Sequence, residues 1–433
     1  EISSFERGEF KLTSFGLTLA ESKSILKDIQ EIVVEEQATT YSASQQRCPD
    51  CGGPRKKKGS HTIPVRTLFG KVRVKSPRIR HCKCRHHKTR TFSPLAERLP
   101  ERTTPELLFL ETKWSTLISY GMSADLLEDV LPMGAQTINA FTIRQHLFNV
   151  AERLENSLGE ERESFIEGCE RDWRQLPIPD GPITVGIDGG YIRGQRKEGY
   201  FEVIAGKSMP SFRRDEAAAE LDGKCFAFVQ TLDTKPRRRL FELLKSQGLQ
   251  ENQQVVFLSD GGDDVRNLQH QLSPQAEHLL DWFHVTMRLT VMNQMAKGLP
   301  KTIGEGEDEY NLREPIAKLL QSIKWYLWHG NVYQALQKVA FLLIDLDGAS
   351  FDKEDARTAK LLKTAREFQT YVSRNRDYIP NYGERYRNGE PISTGFVESA
   401  VNQVVSKRMA KKQQMQWSQK GAHLLLQVRT RVL

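Results

Sequence analysis

Three acidic side chains stand where acids are costly. Ile183-Thr184-Val185-Gly186-Ile187 reads as a buried strand that delivers Asp188 at its end, with Gly189 and Gly190 following at once. Val255-Val256-Phe257-Leu258 reads as a second buried strand, closing in Ser259-Asp260-Gly261-Gly262. A carboxylate at the lip of an apolar strand needs positive charge against it, and a divalent cation with oxygen ligands is the usual remedy. The glycines leave room for a ligand or a backbone to approach and permit positive φ. Either unit alone is equally a hairpin-turn signal. Its repetition is what points to paired acids. The third acid is Glu398, within Ser393-Thr394-Gly395-Phe396-Val397-Glu398-Ser399-Ala400-Val401-Asn402. Ser393 or Thr394 caps a helix there, and Glu398 faces the same way as Asn402 and Val405. A first-turn glutamate also suits the helix dipole with no further role.

Thiols carry the other chemistry. Cys48-Pro-Asp-Cys51-Gly-Gly is a metal knuckle, and Cys82-Lys-Cys84 follows after thirty intervening residues. Between them, Thr62 to Arg80 reads as a basic hairpin in which Lys71, Arg73 and Lys75 alternate with Val72 and Val74. Two cysteine pairs flanking a hairpin make a zinc ribbon, its Zn²⁺ structural because no ligand position is left for water. The second pair is CxC rather than CxxC, so His86 or His87 is an alternative fourth ligand, and free thiols are the metal-free alternative. Cys169 and Cys225 stand apart and read as buried thiols.

The elements that position these groups follow from periodicity. Residues 17–40 place Leu17, Leu19, Ile25, Ile29, Ile32 and Val33 near one helical face, a lead-in or self-association helix. Strands are expected at Ile183–Ile192, Tyr200–Lys207 and Cys225–Thr231, then a basic helix Arg237–Ser246 and the strand Val255–Leu258. A helix Asp263–Gln271 and a fifth strand His278–Phe283 complete the set. That is the order of the ribonuclease-H-like fold, in which strands one and four are neighbours, so Asp188 and Asp260 would meet. Helical patterns over Ile316–Leu346 and Ala356–Arg374 read as an insertion within it. The expected class is α+β and multidomain. The domains run 1–45 (helical), 46–95 (zinc ribbon) and 96–176 (helical, helix-turn-helix-like). After a Pro177–Pro182 linker come 183–285 (first part of the core), 286–390 (insertion) and 391–433 (last part with a basic tail).

Charge distribution points to a polyanion. Residues 47–90 hold 15 Lys and Arg against one acid, Asp50, and the 35 residues after Glu398 hold 7 and no acid. These stretches carry +14 and +7 against +8 for the chain, which leaves −13 for the rest. Basic charge concentrated at two places fits double-stranded DNA, with a solvated basic surface as the plain alternative. Ser123 would cap a short helix, Pro132-Met133-Gly134 would turn the chain, and a second helix from Gln136 would present Gln136, Asn139 and Arg144 to a groove. An ordinary helical hairpin has the same spacing. Lys407, Arg408, Lys411 and Lys412 would follow phosphates, and Trp417 would either stack on an unpaired base or pack against Leu424–Leu426. No apolar run reaches the roughly 18 residues a bilayer demands. A soluble intracellular protein is the expectation.

Asp188, Asp260, the Asp281-Trp282-Phe283-His284 tetrad, the helical insertion and the GFVES stretch around Glu398 together resemble a DDE transposase of a bacterial insertion sequence, of the ISKra group. The Asp-x-x-His tetrad is similar to the Cys/Asp-x-x-His signature of Mutator-like and hAT-like transposases, which also carry a helical insertion before the glutamate. The resemblance runs from the zinc knuckle to the C-terminus, with the CxC pair as its departure. It implies an endonuclease that binds transposon ends, cleaves and rejoins DNA by transposition and recombination chemistry with two Mg²⁺ (or Mn²⁺) ions, and acts as a dimer or larger assembly. Asp188 would bridge the ions, Asp260 and Glu398 would hold one each, and Asp281 and His284 would order the site or touch DNA. A core hydrogen-bonded pair is the alternative for those two. A nuclease without strand transfer, or a domesticated non-catalytic DNA-binding regulator, is the rival reading.

Overall fold

The structure is a computed structural model. It describes residues 15–84, 89–99, 101–132, 138–165, 168–179, 181–195, 199–210, 223–262, 268, 272, 276–299, 302–303, 310–352, 356–410 and 415–433. The chain forms two compact units, one ending at Leu154 (with Val432) and one spanning Glu155–Arg431 (with Leu433). Among the described residues no helix is long and apolar enough to cross a membrane.

The first unit opens with α1 (Leu19–Ser44), started by a reciprocal capping box between Thr18 and Glu21. The hairpin β1 (Lys57–Thr67) and β2 (Gly70–Arg80) pairs Val65 with Val72 and Thr67 with Gly70, and β3 (Thr91–Phe92) joins the far end of β2. Strand alternation sorts the side chains by face. Ile63, Val65, Val72 and Val74 are buried against Val34, Ala38 and Tyr41 of α1, while Lys71, Arg73 and Lys75 are exposed on the other side. After α2 (Pro94–Arg98) come α3 (Pro105–Leu117), α4 (Tyr120–Val130) and α5 (Ala140–Ser157), packed around Leu107, Leu127 and Ile143. Glu111 and His146 are both buried and meet at 2.5 Å, which ties α3 to α5.

The helix-turn-helix expectation needs correcting in its details. Ser119, not Ser123, caps α4 by accepting from the Met122 N–H at 3.2 Å. Ser123 lies buried inside the helix and donates to the Ser119 carbonyl. Its hydroxyl folds back onto the previous turn, as serines within helices do. Asn139 accepts from the Thr142 N–H at 2.9 Å, so its side chain is occupied in starting α5. Arg144 is exposed and lies 4.7 Å over Phe148. Gln136 lies outside the described residues.

The second unit is built on a five-stranded sheet. After the one-turn α6 (Glu170–Trp173) come β4 (Ile183–Arg193), β5 (Tyr200–Met209), β6 (Lys224–Val229), α7 (Pro236–Lys245), β7 (Val255–Ser259) and β8 (Glu277–Leu280). Across the sheet the order is β6-β5-β4-β7-β8, antiparallel among the first three and parallel from β4 to β8. Parallel strands are covered on both faces, which is why β7 is buried at every position. One face presents Ile183, Val185 and Ile187 to Leu240 and Leu244 of α7. The other receives α13 (below). The region expected to be a helix at Asp263–Gln271 lies almost wholly outside the described residues.

Helices α8 (Trp282–Lys297), α9 (Arg313–Trp328), α10 (Val332–Asp352) and α11 (Ala356–Arg374) form the expected insertion, around Leu289, Ile316, Leu320, Leu342, Leu361 and Phe368. Leu280 and Ile392 belong to the same core, so the insertion is rooted in the last strand. A short α12 (Tyr382–Arg387) precedes α13 (Gly395–Val401), a nine-residue π-helical stretch Asn402–Ala410, and α14 (Gln419–Val432).

The unit boundary falls earlier than the proline-rich linker. Glu155, Leu158 and Gly159 are held by α7 and its approach: Arg239 donates to Glu155, Arg238 to the Leu158 carbonyl and Lys235 to the Gly159 carbonyl. Residues 155–176, expected to close the helical domain, therefore belong with the sheet.

Candidate active site and metal centre

The thiol site assembles from two short pieces of chain. Gly52, at φ +70°, turns the knuckle so that the Cys48 N–H reaches the Gly53 carbonyl at 2.9 Å and the Gly52 N–H reaches the Cys48 carbonyl at 2.9 Å. The β1–β2 hairpin returns Cys82 and Cys84 to it. The Sγ atoms of Cys48 and Cys84 lie 3.6 Å apart and those of Cys51 and Cys82 lie 3.4 Å apart. All four sulfurs fall within 4.8 Å of one another, close enough to hold one ion such as zinc. Backbone hydrogen bonds of Cys51 and Asp50 draw the Cys48 thiol down to about 6, while the neighbouring sulfurs of Cys82 and Cys48 push Cys84 up to about 12. Four thiols compressed onto one point respond in this way: one ionises early and another is held protonated by it. His86 and His87 lie outside the described residues.

The acidic site assembles from distant pieces, and strand register does most of the work. Gly186 of β4 sits opposite Leu258 of β7, and Ser259 of β7 opposite Leu280 of β8. Carried forward, the first register sets Asp188 level with Asp260, and the second sets Asp260 level with Asp281. Three neighbouring parallel strands thus bring aspartates to one end of the sheet. Asp188 is not where β4 stops. The β7 ladder ends at Gly186, but pairing with β5 continues to Arg193, and Gly189 and Gly190 are ordinary members of the strand. The strand continues through Gly189 and Gly190 as the expected span Ile183–Ile192 has it, and the hairpin-turn alternative falls; after Asp260 the chain does turn, with Gly261 at φ +86°.

Glu398 arrives from the opposite side of the sheet's thickness. Helix α13 lies so close to β4 that a Cβ on Gly186 would stand 2.0 Å from Val397 Cγ2 and 2.9 Å from Phe396 Cζ. Gly190, two pairs along the same face, looks onto Val401 and Val405. Asp188 lies between these glycines on the α13 face. Burial, the largest cause, raises the Asp188 pKa, and the charges of Asp260 and Asp281 raise it further against the Gly189 N–H and His284. Glu398 is likewise raised by burial and by Asp188, with His284 opposing. Asp188 thus feels Asp260, and Glu398 feels Asp188. Among the described residues, though, they do not close to the 4.8 Å spacing of the cysteines.

What holds them is a residue whose part was open in the sequence. Asp281 is completely buried and both its oxygens are engaged. Oδ1 accepts from the Phe283 N–H at 2.9 Å and the Thr394 N–H at 3.1 Å. Oδ2 accepts from His284 Nδ1 at 2.7 Å and from the Thr394 hydroxyl. One carboxylate therefore starts α8, orients His284 and pins the residue that begins the Glu398 helix. Thr394 was expected to cap α13 with its side chain; its hydroxyl goes to Asp281 instead. The Trp282 N–H on the Ile392 carbonyl (3.0 Å) and the Tyr382 hydroxyl on the Leu280 carbonyl (2.7 Å) tighten the same junction. Burial lowers the His284 pKa, but Asp281, Asp188 and Asp260 outweigh it and the net shift is upward.

The basic tail divides. Lys407 is exposed. Arg408 is fully buried, 5.1 Å over the Trp417 ring, and Trp417 is itself buried. The Trp417 backbone pairs with Arg193 and Gln195 beyond the end of β4. Neither residue is available to DNA, which overturns the phosphate role expected for Arg408 and the base-stacking role for Trp417. The adjacent pair Lys407-Arg408 hides this in the sequence, because a π-helical stretch turns its side chains on a different period from an α-helix. Lys411 and Lys412 lie outside the described residues. Of the isolated thiols, Cys225 is half-buried, but Cys169 is exposed and donates to Asp172 at 3.0 Å.

A second ligand-like group, Glu155, Asp233 and His423, also falls within 4.8 Å. Its positive charge is already supplied. Arg239 donates to Glu155 at 2.9 and 3.0 Å and to Asp233 at 2.9 and 3.1 Å. Glu155 falls to about 2: burial opposes, but His423 and Arg239 prevail. This is a buried ion cluster fastening α7 to α14.

No protein-family model matches the chain, and no curated protein matches it either.

Proposed function

We propose that the protein cuts and joins DNA: a DDE transposase with a ribonuclease-H-like core, resembling those of ISKra-group insertion sequences. The observation that carries this reading is the register that sets Asp188 level with Asp260 on neighbouring strands of a sheet ordered β6-β5-β4-β7-β8, with the Glu398 helix packed on the Asp188 face of β4. The strand order supports the fold, and the raised carboxylates support a site that lacks only positive charge. Mg²⁺ or Mn²⁺ at these acids would activate the attacking water or 3′ hydroxyl and stabilise the departing 3′ oxygen.

The chain's own residues divide the remaining tasks. Asp188, on the central strand, together with Asp260 and Glu398, would hold the ions. Asp281 has no oxygen left for a metal, so it is a positioning residue for His284 and for the Glu398 helix. His284 bonds to Asp281 through Nδ1 and its pKa is raised, so when protonated it would offset the repulsion between Asp188 and Asp260. Cys48, Cys51, Cys82 and Cys84 would hold a structural Zn²⁺. The outward row Lys71, Arg73 and Lys75 would rest on DNA phosphates.

The test uses the full chain with Mg²⁺ and a plasmid carrying the DNA that flanks its coding sequence. Cuts at defined positions with 3′-hydroxyl ends, and joining of pre-cleaved ends to target, are expected. D188N, D260N and E398Q should each reduce both to background while DNA binding stays at wild-type level. Cutting without joining would make the protein a nuclease, and binding without either would make it a regulator.

A further inference from the structure

We propose that Arg288, seated on Tyr371, grips a backbone phosphate of the DNA strand entering the acidic site. This rests on the DNA-cleaving reading above and adds a contact that neither the acids nor the basic hairpin provides. Four residues after His284, Arg288 lies on the same face of α8, about 5–6 Å away between Cβ atoms. Its guanidinium is 4.2 Å over the Tyr371 ring. Arg288 is exposed, and no described carboxylate pairs with it. A stacked guanidinium keeps its N–H edges for a partner, and a phosphate oxygen pair fits that fork.

The perch is itself fixed to the site. Burial first, and then the charges of Asp260 and Asp281, raise the Tyr371 pKa. One turn further along the same chain segment, buried Asn375 abuts the loop after Asp260: a Cβ on Gly261 would stand 2.6 Å from Asn375 Oδ1. The helical insertion thus delivers a cation to the edge of an acid cluster without neutralising it. On the outer side of α8, Phe283 and Met287 are 40% and 44% exposed, leaving open the approach that a strand needs. A guanidinium placed only to balance the acids would be paired with one of them. This one is propped on an aromatic ring instead.

The experiment compares wild type, R288Q, R288K and Y371L as full chains. One arm measures binding to a 30-bp duplex in Ca²⁺ across 50–200 mM salt; the other measures Mg²⁺-dependent plasmid nicking. R288Q should lower the slope of log affinity against log salt by about one and weaken binding at 100 mM salt about ten-fold. Its nicking should show a raised KM with kcat changed far less, at unchanged Tm. R288K should recover the slope but not the full affinity, and Y371L should weaken binding in the same direction. Wild-type binding and slope in R288Q overturn the proposal. If wild type nicks and R288Q matches it, the contact is wrong and the cleavage reading stands. If nothing nicks but R288Q loses the salt slope, the contact stands and the cleavage reading falls.

Discussion

The cysteine cluster and the acid cluster solve the same problem in opposite ways. Both gather groups that repel one another when charged. The four thiols come from two short segments, a knuckle and the end of a hairpin, and their sulfurs already lie within 4.8 Å of one another. The three acids come from two strands and a helix spread over 210 residues of chain, and they do not close to that spacing. A site meant to be filled once and stay filled can be tight. A site that must admit a substrate has to stay open, and the holding is passed to groups behind it. Asp281, Thr394 and Gly186 do that holding, and none of them needs to touch a metal.

The comparison breaks most sharply if the thiol site is emptied. Treating the protein with a strong chelator, or introducing C48S, should release about one equivalent of zinc and abolish hydrogen-exchange protection in β1 and β2. The sheet of the second unit should keep its protection. Simultaneous loss of protection in both units would show that the two sites are not separately supported.

Next in size come substitutions behind the acids. Gly186→Ala puts a methyl 2.0 Å from Val397 Cγ2. Helix α13 must move away from β4, at a cost of about 2–3 kcal/mol, and Glu398 moves with it. Denaturant unfolding should show the loss and Mg²⁺-dependent nicking should disappear. Asp281→Asn keeps the shape but turns an NH₂ donor toward groups that donate, and removes the charge opposite His284. Loss of one member of a buried pair costs about 3 kcal/mol. The His284 pKa should fall by NMR titration, and the pH profile of nicking should shift with it. An unchanged profile would mean that His284 is merely packed there.

Much of this was legible before the structure, and the exceptions have physical causes. The hairpin, the knuckle, the first three strands, α7, β7 and the insertion helices are local: alternation, glycine and helical period report them directly. The convergence of Asp188 with Asp260 also followed from element order, because order restricts which strands can be neighbours. What escaped depends on tertiary partners. Asp188 looks like a strand end, yet it sits within a strand, because local sequence does not reveal the long ladder with β5. Thr394 looks like a cap, yet its hydroxyl is drawn to a carboxylate 113 residues away. Arg408 looks like a phosphate contact and instead lies buried over Trp417, whose own burial fits the packed alternative rather than base stacking. Ser123 looked like a start signal because Ser119, four residues earlier, offers the same chemistry.

The smallest expected effect tests the electrostatic half of the contrast. Burial and the charges of Asp260 and Asp281 raise the Asp188 pKa in the folded protein above its unfolded value. Such a group contributes stability at pH below its unfolded pKa, and that contribution is lost as pH rises through the folded pKa. At pH 8 without metal, ionised Asp188 is therefore a liability. Glu398 and His284, also shifted upward, lose their contributions in the same direction. Asp188→Asn removes the liability and should stabilise the metal-free protein by about 1 kcal/mol, or about 2–4 °C in Tm. Part of the gain is returned because His284 loses an attractive neighbour. The advantage should shrink as pH falls through the raised pKa, since the wild-type carboxyl then takes up its proton. Adding Mg²⁺ at pH 8 should reverse the order, because the ion stabilises the wild type and finds no charge in the variant. Were Asp188→Asn the less stable protein in EDTA at pH 8, the acids would be at ease without a cation, and the cluster would be a structural network like that around Arg239.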